Sequence, residues 1–399
     1  MEKIIDQHIS VTQVFQSTAL VRGGPAYTVP ALCRGLMRKG CNVQVLTTDY
    51  YGFKEDSLIG MNYQVLPMKI IPFTRFRFAA GIKRAVTEKL YQSDILHINE
   101  IWLSHYHTAA RIADSNKTPY LYSIRGALQP WCFRRKAWKK KPAWILYQRN
   151  DLERATCLHA TVRREYDSIR QLGIKTAVAI IPNGVDQPMD SDGKGRQRIE
   201  EIWPALKNKR ILLFLSRINL TKGCDYLAEA WSTIAKTYPE WHLVVAGPDQ
   251  GPGREMKKTF QRAGIESHVT FTGGVFGKGK WDLIHACELY VLPTNSENFG
   301  VAVAEAMISG KPVLTTVGCP IEEIDHAGCG WRIPIGSKSL TEKLEEVLPY
   351  TADNLKNIGA VGTQVAKEKF SWDAIANDML SVYKWMMGKA EKPNCVYLD

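Results

Sequence analysis

Two glutamates, Glu297 and Glu305, stand eight residues apart in the stretch "SENFGVAVAEAM". The preceding run "LYVLP" predicts a buried strand, and the stretch itself predicts a helix from 298 or 299 to 309, with Gly310 as its C-terminal stop. At about 1.5 Å per residue the gap spans roughly 12 Å, whereas two carboxylates that flank one bond stand ~5–9 Å apart. The pair therefore fits two parts of one long ligand better than it fits hydrolysis.

Two cations follow another predicted strand in "FLSRINLTKGCDYLAEAW". Arg217 ends the strand, and Lys222 comes directly before Gly223 and a predicted helix. An arginine fork and a lysine point charge suit a diphosphate group. Taken alone, the two residues are equally well explained as solvated loop charges.

A nucleotide sugar would use both sets of residues. Its sugar and ribose carry hydroxyl groups that can donate hydrogen bonds to carboxylates. The amides at a helix N-terminus attract the negative phosphates that lie between them. Two carboxylates would repel a diphosphate, so cations must lie at the same sheet edge. A further loop, "ALVRGGPAYTVPALCRGLMRKG", places Gly23 and Gly24 before a helix, where the backbone could approach a phosphate or sugar closely. A tight turn explains this glycine pair equally well.

The residues that carry this chemistry lie on an alternating pattern of strands and helices. Short apolar strands alternate with amphipathic helical segments along the chain, which predicts an α/β protein with parallel sheets. The polar, glycine-containing stretch after 183 predicts a domain boundary. We therefore expect a Rossmann-like domain at 1–183, a second at 184–371, and a C-terminal helical segment at 372–399 that crosses back to the first.

Composition limits the classes of function. The chain has 399 residues and a formal net charge of +12, which favours anionic partners such as nucleotides, nucleic acid or an acidic membrane face. Nine cysteines form no CxxC pair, so neither a disulfide framework nor a zinc ribbon is expected. No signal peptide or membrane span is evident, and a cytoplasmic location is the simplest expectation. No nucleic-acid-binding motif appears, so we expect no nucleic-acid partner.

The combination of motifs resembles the retaining glycosyltransferases of family four, which have the GT-B fold. The resemblance extends over nearly the whole chain and includes "RGGPAYTVPALCRGLMRKGCNVQVLTT", "VAIIPNGVD", "LSRINLTKG" and "LPTNSENFGVAVAEAMISGKPVLTT", the last of which matches the family's E-x7-E pattern. It implies two Rossmann-like domains facing across a cleft, with the second binding the donor and the first the acceptor. The chain is thereby expected to transfer a hexose-type sugar from a UDP- or GDP-linked donor.

The resemblance also implies roles for individual residues. Glu305 would bind the ribose of the donor, and Arg217 and Lys222 would bind its diphosphate and stabilise the charge that forms as the glycosidic bond breaks. The transferred sugar would be held by Glu297 and by the backbone amides of Asn298, Phe299, Gly300 and Val301. Gly23 and Gly24 would close the other side of the cleft. Family members generally use neither a metal ion nor an obligatory protein nucleophile, so we expect no cofactor.

One position departs from the family. Many relatives carry His-Gly at the end of the strand that aligns with "YLYSIRGALQPW", whereas this chain carries Arg125 and Gly126. Arginine cannot act as a base at ordinary pH, so Arg125 is expected to be a sugar or phosphate ligand or an electrostatic stabiliser. The acceptor candidates are His97, Glu100 and Trp131, and for His97 and Glu100 a structural role is an equally good interpretation.

The segment "CFRRKAWKKKPAWILYQR" interleaves basic and aromatic residues. Such a segment suits an anionic membrane surface, although a solvated helix with a few packed aromatics would also explain it. We expect peripheral attachment to the inner face of the cytoplasmic membrane through these six basic residues: Arg134, Arg135, Lys136, Lys139, Lys140 and Lys141.

A lipid-diphosphate-linked saccharide would then be the acceptor, as in bacterial surface polysaccharide synthesis (O-antigen, capsule or exopolysaccharide). The rival interpretations are a nucleotide-sugar epimerase or hydrolase of the same fold, and a glycosyltransferase with a soluble acceptor. Residue types do not determine the donor sugar, its base or the accepting hydroxyl.

Overall fold

The protein divides into two compact units. The computed structural model describes residues 8–19, 24–50, 52–70, 77–134, 137–186 and 192–399. The first unit comprises Met1–Gly184 with Trp372–Asp399, and the second comprises Val185–Ser371. The first unit thus ends one residue beyond the predicted boundary, and the C-terminal segment starts at the predicted residue.

Among the described residues, nine strands and seven α-helices precede the boundary between the units. The strands are β1 (Ser10–Val14), β2 (Asn42–Thr48), β3 (Asn62–Leu66), β4 (Met68–Ile70), β5 (Arg77–Ala79), β6 (Ile95–Asn99), β7 (Tyr120–Ser123), β8 (Cys157–Ala160) and β9 (Val178–Ile180). The helices are α1 (Gly24–Arg38), α2 (Ile82–Leu90), α3 (Ser104–Ser115), α4 (Pro130–Arg134), α5 (Ala137–Ala143), α6 (Arg149–Glu153) and α7 (Arg163–Gln171), with a 3-10 helix at Glu55–Leu58 and a π-helical turn at Trp144–Gln148.

The described part of the second unit contains six strands and eight α-helices. Its strands are β10 (Arg210–Leu215), β11 (Trp241–Ala246), β12 (Val269–Gly273), β13 (Leu289–Leu292), β14 (Val313–Thr316) and β15 (Gly330–Ile333). Its α-helices are α8 (Gly195–Ile202), α9 (Cys224–Ile234), α10 (Gly253–Ala263), α11 (Gly277–Ala286), α12 (Val301–Ile308), α13 (Glu323–His326), α14 (Ser337–Val347) and α15 (Ala352–Phe370). Short 3-10 helices lie at Pro204–Leu206, Leu220–Lys222 and Glu266–His268.

The chain returns to the first unit through α16 (Trp372–Met386) and β16 (Val396–Tyr397). Buried residues recur at helical spacing along α16, as the sequence pattern predicted. Gly35 in α1 makes the close approach of α1 and α16 possible, because a Cβ there would lie 3.0 Å from both the Ala376 Cβ and the Trp372 carbonyl oxygen. The C-terminal helix therefore completes the core of the first unit.

Besides the two-stranded antiparallel sheet of β4 and β5, the described residues form two large sheets. Every strand in them except β16 is parallel to its neighbours, and each sheet reverses its strand order once. The first has the order β16-β9-β8-β7-β6-β1-β2-β3, with β16 antiparallel to β9, and the second has the order β12-β11-β10-β13-β14-β15. Strands such as β11 are buried along their whole length because helices cover both faces of such sheets. The order reverses between β1 and β6 and between β10 and β13. Ligands of open α/β sheets bind at the carboxyl ends of strands beside such a reversal.

Candidate functional site

Two loops meet at the reversal point of the second sheet. One follows β10 and the other follows β13, and these strands are direct neighbours. The Asn295 backbone amide donates to the Thr221 carbonyl at 2.9 Å, and its side-chain amide donates to the Leu220 carbonyl at 2.9 Å. The Thr294 hydroxyl also donates to the Thr221 carbonyl, at 2.8 Å. These bonds hold the loops, and the charged side chains on them, in fixed register.

Glycines allow the loops of this edge to approach closely. Gly223 has φ +67°, and a Cβ there would lie 1.8 Å from the Pro293 carbonyl oxygen. Gly318, in the loop after β14, would bring a Cβ to 2.3 Å from the Thr294 carbonyl oxygen, and its own carbonyl accepts the Glu297 amide at 3.0 Å. The sequence reasoning missed Gly318 because nothing in a single chain distinguishes it from an ordinary turn glycine.

Glu297 and Lys222 form an ion pair at this edge. The Lys222 ammonium donates to Glu297 Oε1, and the two side chains are only 11% and 13% exposed. Lys222 thus lies at the same sheet edge as the first carboxylate of the motif; its predicted role as a diphosphate ligand stays a prediction. Arg217, on the same loop, is exposed, and its guanidinium lies 3.4 Å from Gln250 Oε1. Because an ammonium has three donors, Lys222 keeps N–H groups for a ligand while it holds Glu297.

Glu305 has a lysine of its own, which the sequence reasoning missed. Lys280, on α11, donates to Glu305 Oε1 at 2.7 Å, and the Glu305 side chain is 12% exposed. Burial raises the pKa of Glu305, and the nearby Lys280 charge acts in the opposite direction. No periodicity links a lysine on α11 to a carboxylate on α12, since only the fold brings the two helices together.

The helix of the motif starts later than predicted. It begins at Val301 rather than at 298 or 299 and ends at Ile308, because Gly300 adopts φ +96° and interrupts the helical backbone. The motif residues before it therefore lie in a loop. The Phe299 side chain is buried against the Phe370 ring at 5.3 Å between centroids, so only its backbone can meet a ligand. Glu305 lies inside the helix, as predicted.

In the first unit, Arg125 stands at the end of β7 and is held by uncharged side chains. Its guanidinium donates to Thr28 Oγ1 at 3.0 Å, to Asn99 Oδ1 at 2.9 Å and to Asn183 Oδ1 at 3.4 Å. Burial lowers the pKa of Arg125, and the Glu100 carboxylate counters that effect. Its backbone has φ +50°. A fixed, partly desolvated guanidinium of this kind can bind a sugar hydroxyl or a phosphate.

His97 is a structural residue, which corrects its prediction as an acceptor ligand. It has no exposed surface, and its ring nitrogens lie 2.7 Å from the Tyr383 hydroxyl and 2.7 Å from Ser123 Oγ. Ser123 Oγ in turn lies 2.6 Å from His159 Nδ1. Burial lowers the pKa of His97 well below its ordinary value, and His159 and Arg125 lower it further. The ring therefore links α16 to the sheet and cannot reach an acceptor.

Glu100 remains at the strand edge with an unusual backbone. It has φ +86°, and Trp102, two residues later, has φ +81°. Glu100 is half-buried, and its carboxylate accepts the Tyr106 hydroxyl at 3.1 Å. Non-glycine residues at positive φ cost free energy and cluster at functional sites. With Arg125, these residues mark the carboxyl ends of β6 and β7 as the candidate site of this unit.

The remaining predicted residues of the first unit are only partly described. Gly24 begins α1, and a Cβ there would meet no atom within 4 Å, so the backbone is open to a ligand at that point. Gly23 lies outside the described residues. Trp131 lies on α4, and its side chain is outside the described part of the structure.

The basic segment splits into inward and outward residues. Lys140 packs inward, since its ammonium donates to the Cys132 carbonyl at 2.6 Å and lies 5.4 Å from the Trp102 ring centroid. This corrects its prediction as a free membrane contact. Lys139, Lys141 and Arg134 are exposed. Arg135 and Lys136 lie outside the described residues.

Large apolar side chains accompany the exposed cations. Trp138, Ile145 and Leu146 are 74%, 80% and 78% exposed, whereas Trp144 packs against Phe133 at 5.5 Å between ring centroids. Isolated exposed apolar residues are normal, but three within nine positions form a patch. Over the described ranges, no helix of the protein is sufficiently long and apolar to span a membrane.

A metal-binding cluster is not evident at either edge. Among the residues that the structure describes, no group of three or more His, Cys, Asp or Glu side chains is arranged to hold a metal ion. All nine cysteines are free thiols.

Two family models match the chain in succession. The glycosyl transferase 4-like domain matches residues 23–184, and glycosyl transferases group 1 match residues 195–360. An uncharacterised glycosyltransferase of Methanocaldococcus jannaschii is 26% identical over 384 residues, which cover 92% of this chain and 95% of that protein. Mannosylfructose-phosphate synthase of Agrobacterium fabrum is 23% identical over 320 residues, which cover 70% of this chain and 67% of that one.

Solved structures agree on the fold. HepE of Anabaena, solved with UDP and glucose, matches with a TM-score of 0.74 at 18% identity and covers 95% of this chain and 100% of its own. A putative UDP-N-acetylglucosamine 2-epimerase of Listeria monocytogenes matches with a TM-score of 0.62 at 13% identity and covers 97% and 98%. The predicted GT-B fold is confirmed, and since both family models are glycosyltransferases, the chain belongs to the group 1 glycosyltransferases.

Proposed function

We propose that the chain is a retaining hexosyltransferase that moves a sugar from a nucleotide-diphosphate donor to a saccharide acceptor. The observation that carries the proposal is the pair of lysine-bound carboxylates at the reversal point of the second sheet. Hydrolysis of one bond does not need two carboxylates that are each held by a different lysine. A donor with hydroxyls at both ends and a diphosphate between them needs two such carboxylates.

Each side chain has a role in this proposal. Glu305 accepts hydrogen bonds from the ribose hydroxyls, and Glu297 accepts them from the transferred sugar. Lys222 and the exposed Arg217 bind the diphosphate and stabilise the charge that develops as the bond to the anomeric carbon breaks. The two cations meet the diphosphate charge, so the proposal includes no metal ion or other cofactor.

The lysine pairs explain how these carboxylates coexist with an anionic ligand. A bare carboxylate beside a diphosphate would repel it, whereas each pair presents little net charge. Because Lys222 is held by Glu297 before the donor arrives, its position is fixed in advance. Preorganised charge of this kind stabilises a transition state without reorganisation during the reaction.

HepE, a fold neighbour solved with UDP and glucose, supports a UDP-linked sugar as the first donor to test. Product analysis decides the function. Purified protein is incubated with UDP- and GDP-sugars and with lipid-diphosphate-linked and free saccharides, and the extended product is examined for its anomeric configuration. A product that retains the donor configuration supports the proposal. Free sugar or an epimerised nucleotide sugar as the main product would favour the hydrolase or epimerase alternative.

We also propose that the first unit attaches to the cytoplasmic face of the membrane and extends a lipid-linked saccharide for a bacterial surface polysaccharide. Trp138, Ile145 and Leu146 would enter the interface beside the exposed Lys139 and Lys141. The alternative of a soluble acceptor is supported by one relative, which is named mannosylfructose-phosphate synthase. Vesicle binding separates the two, because a soluble-acceptor enzyme has no need of a membrane.

A further inference from the structure

A chain of buried hydrogen bonds leads from Arg125 into the core of the first unit. The guanidinium donates to Asn99 Oδ1 at 2.9 Å, and Asn99 Nδ2 donates in turn to Gln13 Oε1 at 2.8 Å. Gln13 Nε2 donates to the Tyr383 hydroxyl on α16 at 3.1 Å. Asn99, Gln13 and Tyr383 have no exposed surface. The chain therefore connects the C-terminal helix to the candidate site of this unit.

The hydrogen bonds continue beyond Tyr383 to the main chain. The Tyr383 hydroxyl lies 2.7 Å from His97 Nδ1, and His97 Nε2 lies 2.7 Å from Ser123 Oγ. Ser123 Oγ lies 2.6 Å from His159 Nδ1, and His159 Nε2 lies 2.8 Å from the Ile181 carbonyl oxygen. Seven hydrogen bonds thus join the guanidinium to a main-chain carbonyl.

The two ends of the chain fix the direction of its bonds. A carbonyl oxygen can only accept, so His159 carries its proton on Nε2, and its Nδ1 accepts from the Ser123 hydroxyl. Ser123 then accepts from His97 Nε2, which leaves His97 Nδ1 to accept from the Tyr383 hydroxyl. Both imidazoles must be neutral for this, and burial lowers the pKa of each. At the other end a guanidinium can only donate, so Asn99 must turn its oxygen toward it.

Gln13 lies where these two requirements meet. Its oxygen accepts from Asn99, while its Nε2 donates to the Tyr383 hydroxyl and also lies 3.2 Å from His97 Nδ1. A Gln13 amide turned the other way would place its N–H groups against those of Asn99 with no acceptor between them, which is costly in a buried site. The contact with α16 therefore fixes Gln13, and Gln13 fixes Asn99.

Arg125 keeps a donor for a ligand while this chain holds it. Its Nη1 donates to the oxygens of Thr28 and Asn183, and its Nη2 donates to Asn99. Its Nε–H is buried and has no partner among the described residues. Buried polar groups are normally hydrogen-bonded, so an unpaired Nε–H at the end of a strand indicates that a ligand atom completes it. Any rotation of the guanidinium would move this donor.

We infer that Gln13 and Tyr383 are positioning residues, which hold the Arg125 guanidinium so that its Nε–H meets the ligand of the first unit. The inference rests on the proposed transfer reaction for the ligand, a sugar hydroxyl or a phosphate oxygen, but not for the fixed orientation. If the chain served only to stabilise the fold, its loss would lower stability and leave Arg125 as it is.

The first test determines the direction of the chain and needs no variant. Nitrogen NMR of protein with labelled histidine at neutral pH should show both His97 and His159 as neutral rings protonated on Nε2. A ring protonated on Nδ1, or a charged ring, would overturn the directed chain.

The second test measures the orientation of Arg125 without a substrate. Rotation of the guanidinium exchanges the two Nη signals in NMR of protein with labelled arginine. Exchange should be roughly 3–10-fold faster in Gln13→Met and in Tyr383→Phe than in the wild type, since each variant removes a hydrogen bond of the chain. The control is Tyr120→Phe, because the buried Tyr120 hydroxyl donates at 3.0 Å to a main-chain carbonyl outside the chain. Equal exchange rates in all four proteins would overturn the inference.

The third test couples the chain to the reaction. Tyr383→Phe should lower kcat about 3–10-fold with an unchanged KM for the donor. Where Arg125→Lys is already present, the same change should lower kcat less than about 2-fold, because the fork that Tyr383 positions is absent. Tyr120→Phe should change kcat less than about 2-fold in both backgrounds. A loss from Tyr383→Phe that is equal in the two backgrounds would contradict a role through Arg125.

The tests separate this inference from the proposed function. Exchange at Arg125 that depends on Gln13 and Tyr383, in a protein that extends no saccharide, would support the positioning role and refute the proposed transfer. Full transfer activity in both variants, with unchanged exchange, would leave the function standing and overturn the positioning role.

Discussion

The strand edges of the two units use opposite electrostatics. In the second unit, two carboxylates are each bound to a lysine, Glu297 to Lys222 and Glu305 to Lys280. In the first unit, Arg125 is held by the hydroxyl and amide oxygens of neutral side chains, and the two nearby histidines are buried with lowered pKa values. The edge of the second unit thus carries lysine–carboxylate pairs, whereas at the edge of the first unit Arg125 is hydrogen-bonded only to neutral side chains and has the Glu100 carboxylate nearby.

This difference indicates a division of work. A lysine ammonium that holds a carboxylate keeps N–H groups for an anionic ligand, so the ligand can bind and leave without breaking the pair. A guanidinium fixed by neutral oxygens keeps its orientation and charge over the working pH range. We therefore expect the second edge to bind and release a charged donor, and the first to position a mostly neutral sugar or acceptor.

The largest effect should come from removing the cation next to the breaking bond. Lys222→Ala is expected to lower kcat by about 10²–10³ while KM for the donor changes far less, because the charge that Lys222 stabilises develops in the transition state. Steady-state kinetics measures the split. A variant that loses only affinity, with normal kcat, would contradict the role.

Donor affinity should depend on the second carboxylate. Glu305→Gln is expected to weaken nucleotide binding by about 10–100-fold, since hydrogen bonds to charged groups contribute ~1.5–3 kcal/mol. Calorimetric titration with UDP and GDP measures it. The control is Glu323→Gln, a carboxylate of the same unit that pairs with Lys369 and is not part of the motif, and it should leave affinity unchanged.

Replacing Arg125 should have a moderate effect, and it tests whether the edge of the first unit acts on the acceptor rather than on the nucleotide. Arg125→Lys keeps the positive charge but loses the planar fork that contacts Thr28 and Asn99, so activity should fall about tenfold with nucleotide affinity unchanged. Kinetics at varied acceptor concentration measures this loss. Weakened binding of the nucleotide itself would place Arg125 in the donor site and break the proposed division.

Lys280 should control the pH dependence of donor binding. Burial raises the pKa of Glu305, so its carboxylate is protonated, and nucleotide affinity falls, as pH decreases through that raised value. Lys280→Met removes the charge that opposes the shift and should move the fall in affinity to higher pH. Affinity measured against pH in both proteins tests the direction. Identical profiles would show that Lys280 does not act on Glu305.

The buried histidines should make the first unit sensitive to acid. Burial lowers the pKa of His159 to about 4 from an unfolded value of 6.5. The unfolded chain therefore binds more protons, and the stabilisation, present above the unfolded pKa, is lost as pH falls toward the folded one. Between about pH 7 and pH 5, the free energy of unfolding should decrease by about 2 kcal/mol less in His159→Gln than in the wild type. Denaturant unfolding at both pH values measures it, and an unchanged difference would contradict the account.

Local patterns predicted much of the fold and part of the site. Alternating apolar strands and helices indicated two α/β units, and residue spacing identified Glu297, Glu305 and Lys222. The GT-B fold and group 1 membership followed from the resemblance and are confirmed by the comparisons. What local patterns carry, such as the alternation of strands and helices along the chain, was accessible without the structure.

Contacts between distant elements were not accessible. Lys280 lies on a different helix from Glu305, and Gly318 matters only because its loop crosses Thr294. The two interpretations of His97 could not be separated, because a histidine at a strand end looks the same in sequence whether it faces a ligand or, as here, the Tyr383 hydroxyl of the C-terminal helix. Such pairings join residues that are far apart along the chain, so the local patterns of a single sequence do not reveal them.

The central claim is that Glu305 accepts hydrogen bonds from the ribose hydroxyls of a nucleotide donor, and one measurement tests it directly. Affinities of wild type and Glu305→Gln for UDP and for 2′,3′-dideoxy-UDP form a double-mutant cycle. We predict that removing the ribose hydroxyls weakens binding to the wild type but not to the variant, which gives a coupling free energy of about 1.5–3 kcal/mol. Equal losses in both proteins, and hence no coupling, would contradict the assignment of the donor site.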